Sequence, residues 1–216
     1  VMMKTSYSTI FNEGLDFSTM LLDRQGNIIA ERNFAPAMMG AVNYTLRWTL
    51  EELGESFFEP GDVVVHNDPY RGNCHIPEHM LMKPIFIDGE LIGFAGAIGH
   101  LAEVGGKAPG SFASDATDVY QEGLRLPPVK LLEKGEYNEQ LWRVILANHR
   151  TPQNSWGDFH AMIGALNVGE RRLRELVDRY DLETVIDGSH MLIDHAERRL
   201  RAEIEDLPDG RYEARM

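Results

Sequence analysis

Cysteine is nearly absent: Cys74 stands alone among 216 residues, so no internal disulfide can form. Long apolar runs are missing as well, and none approaches the roughly 20 residues a membrane-spanning helix needs. Basic charge is scarce, with 21 Lys and Arg against 34 Asp and Glu and a net charge of −13. Such a chain repels a phosphate backbone or an anionic bilayer, and no local Lys/Arg cluster offsets the deficit, which argues against nucleic acid and membrane as partners. No basic region followed by an apolar stretch opens the sequence, and no internal repeat or low-complexity linker interrupts it. These absences lead us to expect a cytoplasmic globular chain, whose 43% hydrophobic content can supply one sizeable core. The residues from Gly210 onward read as a strand beginning, so the chain is expected to be a piece of something longer.

What is present falls into a strand-rich region, 1–134, and a helical one, 135–210. In the first, 15-LDFSTMLLD-23 and 27-NIIA-30 flank Arg24, Gln25 and Gly26 as the arms of a hairpin. The stretches 62-DVVVH-66, 80-MLMKPIFI-87 and 91-LIGFAGAI-98 are short apolar runs bounded by turn residues, and they read as strands. Met39, Val42, Leu46, Leu50 and Leu53 step by three or four before Gly54, the pattern of an amphipathic helix and its stop. In the second region Asn138 is expected to cap a helix over 139–149 that Pro152 ends. Phe159, Ile163, Leu166, Leu173, Val177 and Tyr180 then share one stripe, and a last helix runs from Leu182 to Glu205. Strands followed by helices predict a single α+β unit over 1–216.

The densest chemistry lies in 67-NDPYRGNCHIPEH-79. Asp68 follows a buried-looking strand, where side chains turn toward a cleft. His75 and Glu78 are three apart across Pro77, and His100 follows the apolar run 91–98, whose end can lie beside this loop. Two imidazoles with one or two carboxylates suit Mn, Fe or Zn and leave coordination positions open; the plainer alternative is a set of hydrogen-bonded structural residues. Cys74 is read as a small buried thiol and His79 as a surface imidazole. In 100-HLAEVGGKAPGS-111 the glycine pairs let backbone approach a ligand, and Glu103 lies three residues from His100. Glu103, and Glu122 in 120-YQEGLRLPPVKL-131, are candidate bases, acceptors for a ligand histidine's N–H, or solvated loop carboxylates. Arg150 and Asp158 are expected to pair and hold the helical part against the sheet.

Together, 67-NDPYRGNCHIPEH-79, 99-GHLAEVGGKAPGS-111, 120-YQEGLRLPPVKL-131 and 148-NHRTPQNSWGDFHA-161, with 16-DFSTMLLDRQGNIIAE-31 before them, resemble the hydantoinase B/oxoprolinase family. The likeness runs over nearly the whole chain and is to the N-terminal portion of longer proteins. It implies a subunit of an ATP-dependent cyclic-amide hydrolase, or of an acetone- or acetophenone-type ketone carboxylase, with a hydantoinase A-like ATPase partner that binds ATP. A non-catalytic scaffold that docks the ATPase is the third possibility. The resemblance also implies a divalent metal (Mn, Zn or Fe) on His75, Glu78 and His100, with Asp68 completing the shell and Glu122 or Glu103 moving a proton. Glu78 and Glu103 stand where the family usually has Asp, and Met38 where it usually has His.

Overall fold

The protein is described from a computed structural model that covers residues 1–214, without the side chains of Asn33, Pro36, Ala37 and Met39. Two short helices, α1 (Met2–Thr5) and α2 (Thr9–Asn12), lead into strand β1 (Phe17–Asp23) and its hairpin partner β2 (Ile28–Asn33). Asp23 builds the turn between them. Its carboxylate accepts the amides of Gln25 at 2.9 Å and Asn27 at 2.8 Å, and Gly26 supplies the positive φ that the reversal needs. Helix α3 (Pro36–Leu53) follows and stops at Gly54, which turns out of the helix at φ 74°. Then come β3 (Val63–His66), β4 (Glu78–Ile87), β5 (Glu90–His100), β6 (Val129–Glu133) and β7 (Glu136–Tyr137). The sequence reading left β6 and β7 unassigned. Lys134 and Gly135 both take positive φ between them, the signature of a tight hairpin turn.

All seven strands form one antiparallel sheet in the order β2-β1-β5-β4-β3-β6-β7, and with its helices the fold is α+β as expected. Alternation along β4 decides which side each residue serves. Met80 and Met82 enter the core with Met20, Leu22, Phe94 and Ile98, and α3 covers them with Val42 and Leu46. Lys83, on the opposite face, pairs with Glu170 at 2.8 Å on helix α5 (Pro152–Tyr180). With helices on both faces, β4 is buried along most of its length, which explains an apolar run with no polar alternation. The glycines of β5 allow the close approaches this packing needs. A Cβ at Gly99 would stand 2.4 Å from the Phe11 ring, and one at Gly96 would stand 2.5 Å from the Met20 sulfur.

Helix α4 (Glu139–Asn148) is capped as expected, with the Asn138 side chain accepting the Leu141 amide at 3.1 Å. It ends at Asn148, four residues before Pro152, which opens α5 instead of ending α4. A proline costs nothing at a first helical position, because its missing N–H has no partner there in any residue. Phe159, Ile163, Leu166 and Leu173 are buried, Val177 is half-buried and Tyr180 is exposed. Helix α6 (Leu182–Glu205) has the expected bounds and is capped by Asp181, whose carboxylate accepts the Thr184 amide at 2.8 Å. The strand expected after Gly210 is not seen over 210–214, and Arg215 and Met216 lie outside the described residues. Two compact units result, Val1–Glu175 and Leu176–Met216, with the boundary inside α5. Among the described residues no helix is long and apolar enough to cross a membrane.

Candidate metal centre

The loop between β3 and β4 is held by three asparagine and aspartate side chains. Asp68 accepts the Tyr70 amide at 3.0 Å and starts a single 3-10 turn, Pro69–Arg71, that ends at Gly72 in the left-handed conformation. A Cβ on Gly72 would meet the Tyr44 backbone of α3 at 2.8 Å, so the loop lies against that helix. The Asn73 amide donates to the Glu78 carbonyl at 2.7 Å, while its carbonyl oxygen accepts the Cys74 amide at 2.9 Å. Asn67 is buried and ties three strands of chain together: it donates to Ile76 O at 2.7 Å and Leu124 O at 2.9 Å and accepts Leu126 N–H at 2.6 Å. The sequence reading singled out neither Asn67 nor Asn73. Their only signal was an amide residue at each end of a Pro/Gly-broken loop.

This loop sets His75 above the first residue of β4, Glu78, which pairs across the ladder with the last residue of β5, His100. One ligand atom from each of His75, Glu78 and His100 falls within 4.8 Å of the other two. The imidazole rings are 5.1 Å apart between centroids. His75 Nδ1 and Glu78 Oε2 approach to 2.8 Å, yet both atoms are buried and neither lies in a direction that makes a hydrogen bond. At this distance the carboxylate and the ring attract each other directly. The carboxylate beside it holds the His75 ring above its ordinary pKa against the effect of burial. Burial, and then the neighbouring His75, push the His100 ring below its ordinary value and keep it neutral. Phe112, 75% exposed, covers the other side of His100 with ring centroids 5.8 Å apart.

The remaining candidates are distributed around this group. Asp68 is buried and paired elsewhere, with Arg71 at 2.8 Å and Arg125 at 3.8 Å, and it stands outside the three-residue group. Glu122 is half-buried, and its charge adds to the rise at His75. Glu103 is buried and fully engaged: it accepts the amides of Gly105 and Gly110 and two contacts of 3.0 Å from Arg150 Nη1. Burial alone would raise its pKa, but those amides and the guanidinium hold it below the ordinary carboxylate value. Arg150 thus pairs with Glu103, not with Asp158. Asp158 accepts instead the backbone amides of Tyr7 at 2.9 Å and Ser8 at 3.0 Å, fastening α5 to the N-terminal segment. Met38, on α3, is buried in the core against the sheet, so its thioether is packing.

Two expectations at the loop are reversed. Cys74 is exposed, not buried; its thiol is nonetheless pushed up to about 12 by desolvation of the sulfur and by Glu78 beside it. His79 is wholly buried, because it follows Glu78 on β4 and so points to the opposite face of the sheet. There its Nδ1 lies 3.2 Å from the Pro77 carbonyl, and its ring meets Phe159 edge-on at 5.4 Å. Desolvation lowers its pKa to about 3.

An antiparallel sheet flanked by helices, with a His/Glu/His group at the shared end of two adjacent strands, defines an α+β protein with a candidate divalent-metal centre. The profile of the Hydantoinase B/oxoprolinase family matches residues 1–216, and the chain belongs to that family. It is 38% identical over 209 residues to the caprolactamase subunit beta of Pseudomonas jessenii, covering 97% of this chain and 36% of that subunit. The crystal structure of the ATP-dependent caprolactamase from the same organism superposes with a TM-score of 0.85 at 37% identity, over 90% of this chain and 34% of that one. The nucleotide-free acetone carboxylase structure has the same fold, with a TM-score of 0.86 at 20% identity over 90% of this chain and 26% of that one. The chain thus spans little more than a third of the caprolactamase subunit it resembles.

Proposed function

We propose that this chain carries the metal-binding portion of an ATP-dependent cyclic-amide hydrolase, working with a hydantoinase A-like partner subunit that binds ATP. The observation that carries the reading is the convergence of His75, Glu78 and His100, whose ligand atoms lie within 4.8 Å of one another at the shared end of two strands. Two imidazole nitrogens and one carboxylate fit Mn, Zn or Fe and leave coordination positions for substrate. A divalent ion held there supplies Lewis acidity to a carbonyl or phosphorylated oxygen.

The chain's own residues have distinct tasks in this reading. Glu78 contributes the negative charge, while His100 stays neutral and available as a nitrogen donor. Glu122, near His75 and bonded to no other side chain we describe, is the group to pass a proton to the ring nitrogen of an opening lactam. Glu103 acts indirectly: by binding the Gly105 and Gly110 amides and Arg150, it fixes the loop that carries Phe112 next to His100. The similarity to the caprolactamase subunit supports a lactam or related cyclic amide as substrate.

Elemental analysis of the purified protein tests the reading. Near-stoichiometric Mn, Zn or Fe is expected, lost in both His75→Ala and His100→Ala. Cyclic-amide-dependent ATP hydrolysis is expected once the ATPase subunit is added. Metal-free protein with unaltered folding in both variants overturns the metal assignment. ATP hydrolysis that requires a ketone and bicarbonate overturns the hydrolase assignment in favour of a carboxylase.

A further inference from the structure

The segment 122–126 is laced to the loop that carries His75. Asn67 donates to Leu124 O at 2.9 Å and accepts Leu126 N–H at 2.6 Å, and the same side chain reaches Ile76 O, next to His75, at 2.7 Å. Glu122 lies on this segment and its charge acts on the His75 ring. Arg125, between the two leucines, is therefore fixed beside the candidate metal group. Its half-buried side chain is fixed as well, with the guanidinium carbon 5.9 Å from the Tyr70 ring centre and 5.3 Å from that of Tyr120. Each tyrosine stands on a one-turn 3-10 segment whose amide an aspartate caps at 3.0 Å, Asp68 for Tyr70 and Asp118 for Tyr120. Buried Asp68 also lies 3.8 Å from Arg125, a charge attraction beyond hydrogen-bonding range.

We propose that Arg125 binds an oxyanion of the reacting molecule, a carboxylate or phosphoryl group, beside the metal group; the inference rests on the function proposed above. A guanidinium packed on aromatic rings keeps its N–H edges in a set plane, and that fork matches two oxygens of a carboxylate or phosphate. Because the rings and the Asp68 charge hold the fork in advance, a ligand has little side-chain freedom to remove on binding. The other arginines of these loops are engaged: Arg71 forks onto Glu52 at 2.6 and 3.1 Å and reaches Asp68 at 2.8 Å, and Arg150 is bound to Glu103. Among the described residues Arg125 has only the aromatic contacts and the longer approach to Asp68. On a chain of net charge −13, an anion needs such a local cation to dwell. Adding water across the C–N bond of a cyclic amide leaves a carboxylate and an amine, so the proposed reaction itself makes a group of this kind.

The test is calorimetric titration of inorganic phosphate and of acetate into the purified protein after EDTA treatment, so that no bound ion can hold the anion. Saturable binding of at least one is expected, tighter phosphate marking a phosphoryl group and tighter acetate a carboxylate. Arg125→Met should weaken that binding by about 10- to 100-fold, and Arg125→Lys by less, since it keeps the charge and loses the fork. Methionine leaves an apolar stem against the two tyrosines, and circular dichroism checks that both variants fold. Metal content, measured on untreated samples, should be the same in Arg125→Met as in wild type. Wild-type protein that binds neither anion, or folded Arg125→Met that binds as tightly as wild type, overturns the inference and leaves the His75/His100 reading standing. Anion binding that depends on Arg125 in a protein that never holds metal overturns the metal reading alone.

Discussion

Acidification from pH 7 to pH 5 should destabilise Val1–Glu175 through three buried histidines outside the candidate metal group: His79, described above, and His66 and His149. His66 Nδ1 accepts the Asp68 amide at 2.9 Å, so the ring proton must sit on Nε2, which is buried and unbonded. A second proton would place an N–H against a backbone N–H. Burial lowers this ring from 6.5 to about 4, with Asp68 opposing and Arg71 reinforcing the shift. His149, hydrogen-bonded to Ser155 at 2.9 Å, falls from 6.5 to about 4 by burial as well. All three folded pKa values lie below the unfolded one, so the unfolded state binds protons first. Stability is intact above 6.5 and is lost as pH falls toward 4. Linkage gives about 2 kcal/mol per histidine at pH 5, about 6 kcal/mol for the three, against a total of roughly 5–15 kcal/mol for a domain. Urea unfolding of EDTA-treated protein at pH 7, 6 and 5, followed by tryptophan fluorescence, measures it. His66→Asn and His149→Asn keep an acceptor in the Nδ1 position but cannot titrate, and each should remove about 2 kcal/mol of the pH dependence, roughly a third, because His79, lowered to about 3 by burial, contributes a like amount. Stability that is flat between pH 7 and 5, or equally steep in the variants, would refute the reasoning.

Asn67→Ala should cost more than a typical surface change. It strips partners from two buried carbonyls and one amide, a loss of about 3 kcal/mol or more on denaturant unfolding. Gly99→Ala should lower stability by about 1–3 kcal/mol, because the new methyl meets the Phe11 ring within the core. Arg150→Met should leave Glu103 buried without its cation. We expect a lower melting temperature and faster proteolysis of the 104–112 loop, while metal content stays at the wild-type level. Cys74, though exposed, should react slowly with iodoacetamide at pH 8, since its thiol is pushed up to about 12.

Local signals in the sequence carried well. The Asn138 cap, the α3 stripe ending at Gly54, and the bounds of α6 all depend on residues within one or two helical turns. The approach of His75, Glu78 and His100 was legible too, because a loop feeding one strand and the end of the next apolar run have few other places to meet. Parity was harder to read. Whether Glu78 or His79 faces the site depends on a single residue of register, and the apolar run that signals β4 begins only at Met80, two residues after the strand itself. Long-range partners were illegible: Arg150 and Glu103 are 47 positions apart, and nothing local distinguishes that pairing from one with Asp158.

Two members of the metal group stand on a hydrogen-bonded ladder, while His75 rides on a loop fastened by side-chain amides. An ion bound there would act as a clasp, drawing a comparatively yielding segment down onto a rigid floor. Its apparent affinity would then depend on how much disorder the loop must surrender at closure, as well as on the three donors. Relatives with identical donors can consequently differ in metal retention through changes at Pro69, Gly72 or Asn73 alone. In this fold, grip is set by the hinge as much as by the fingers.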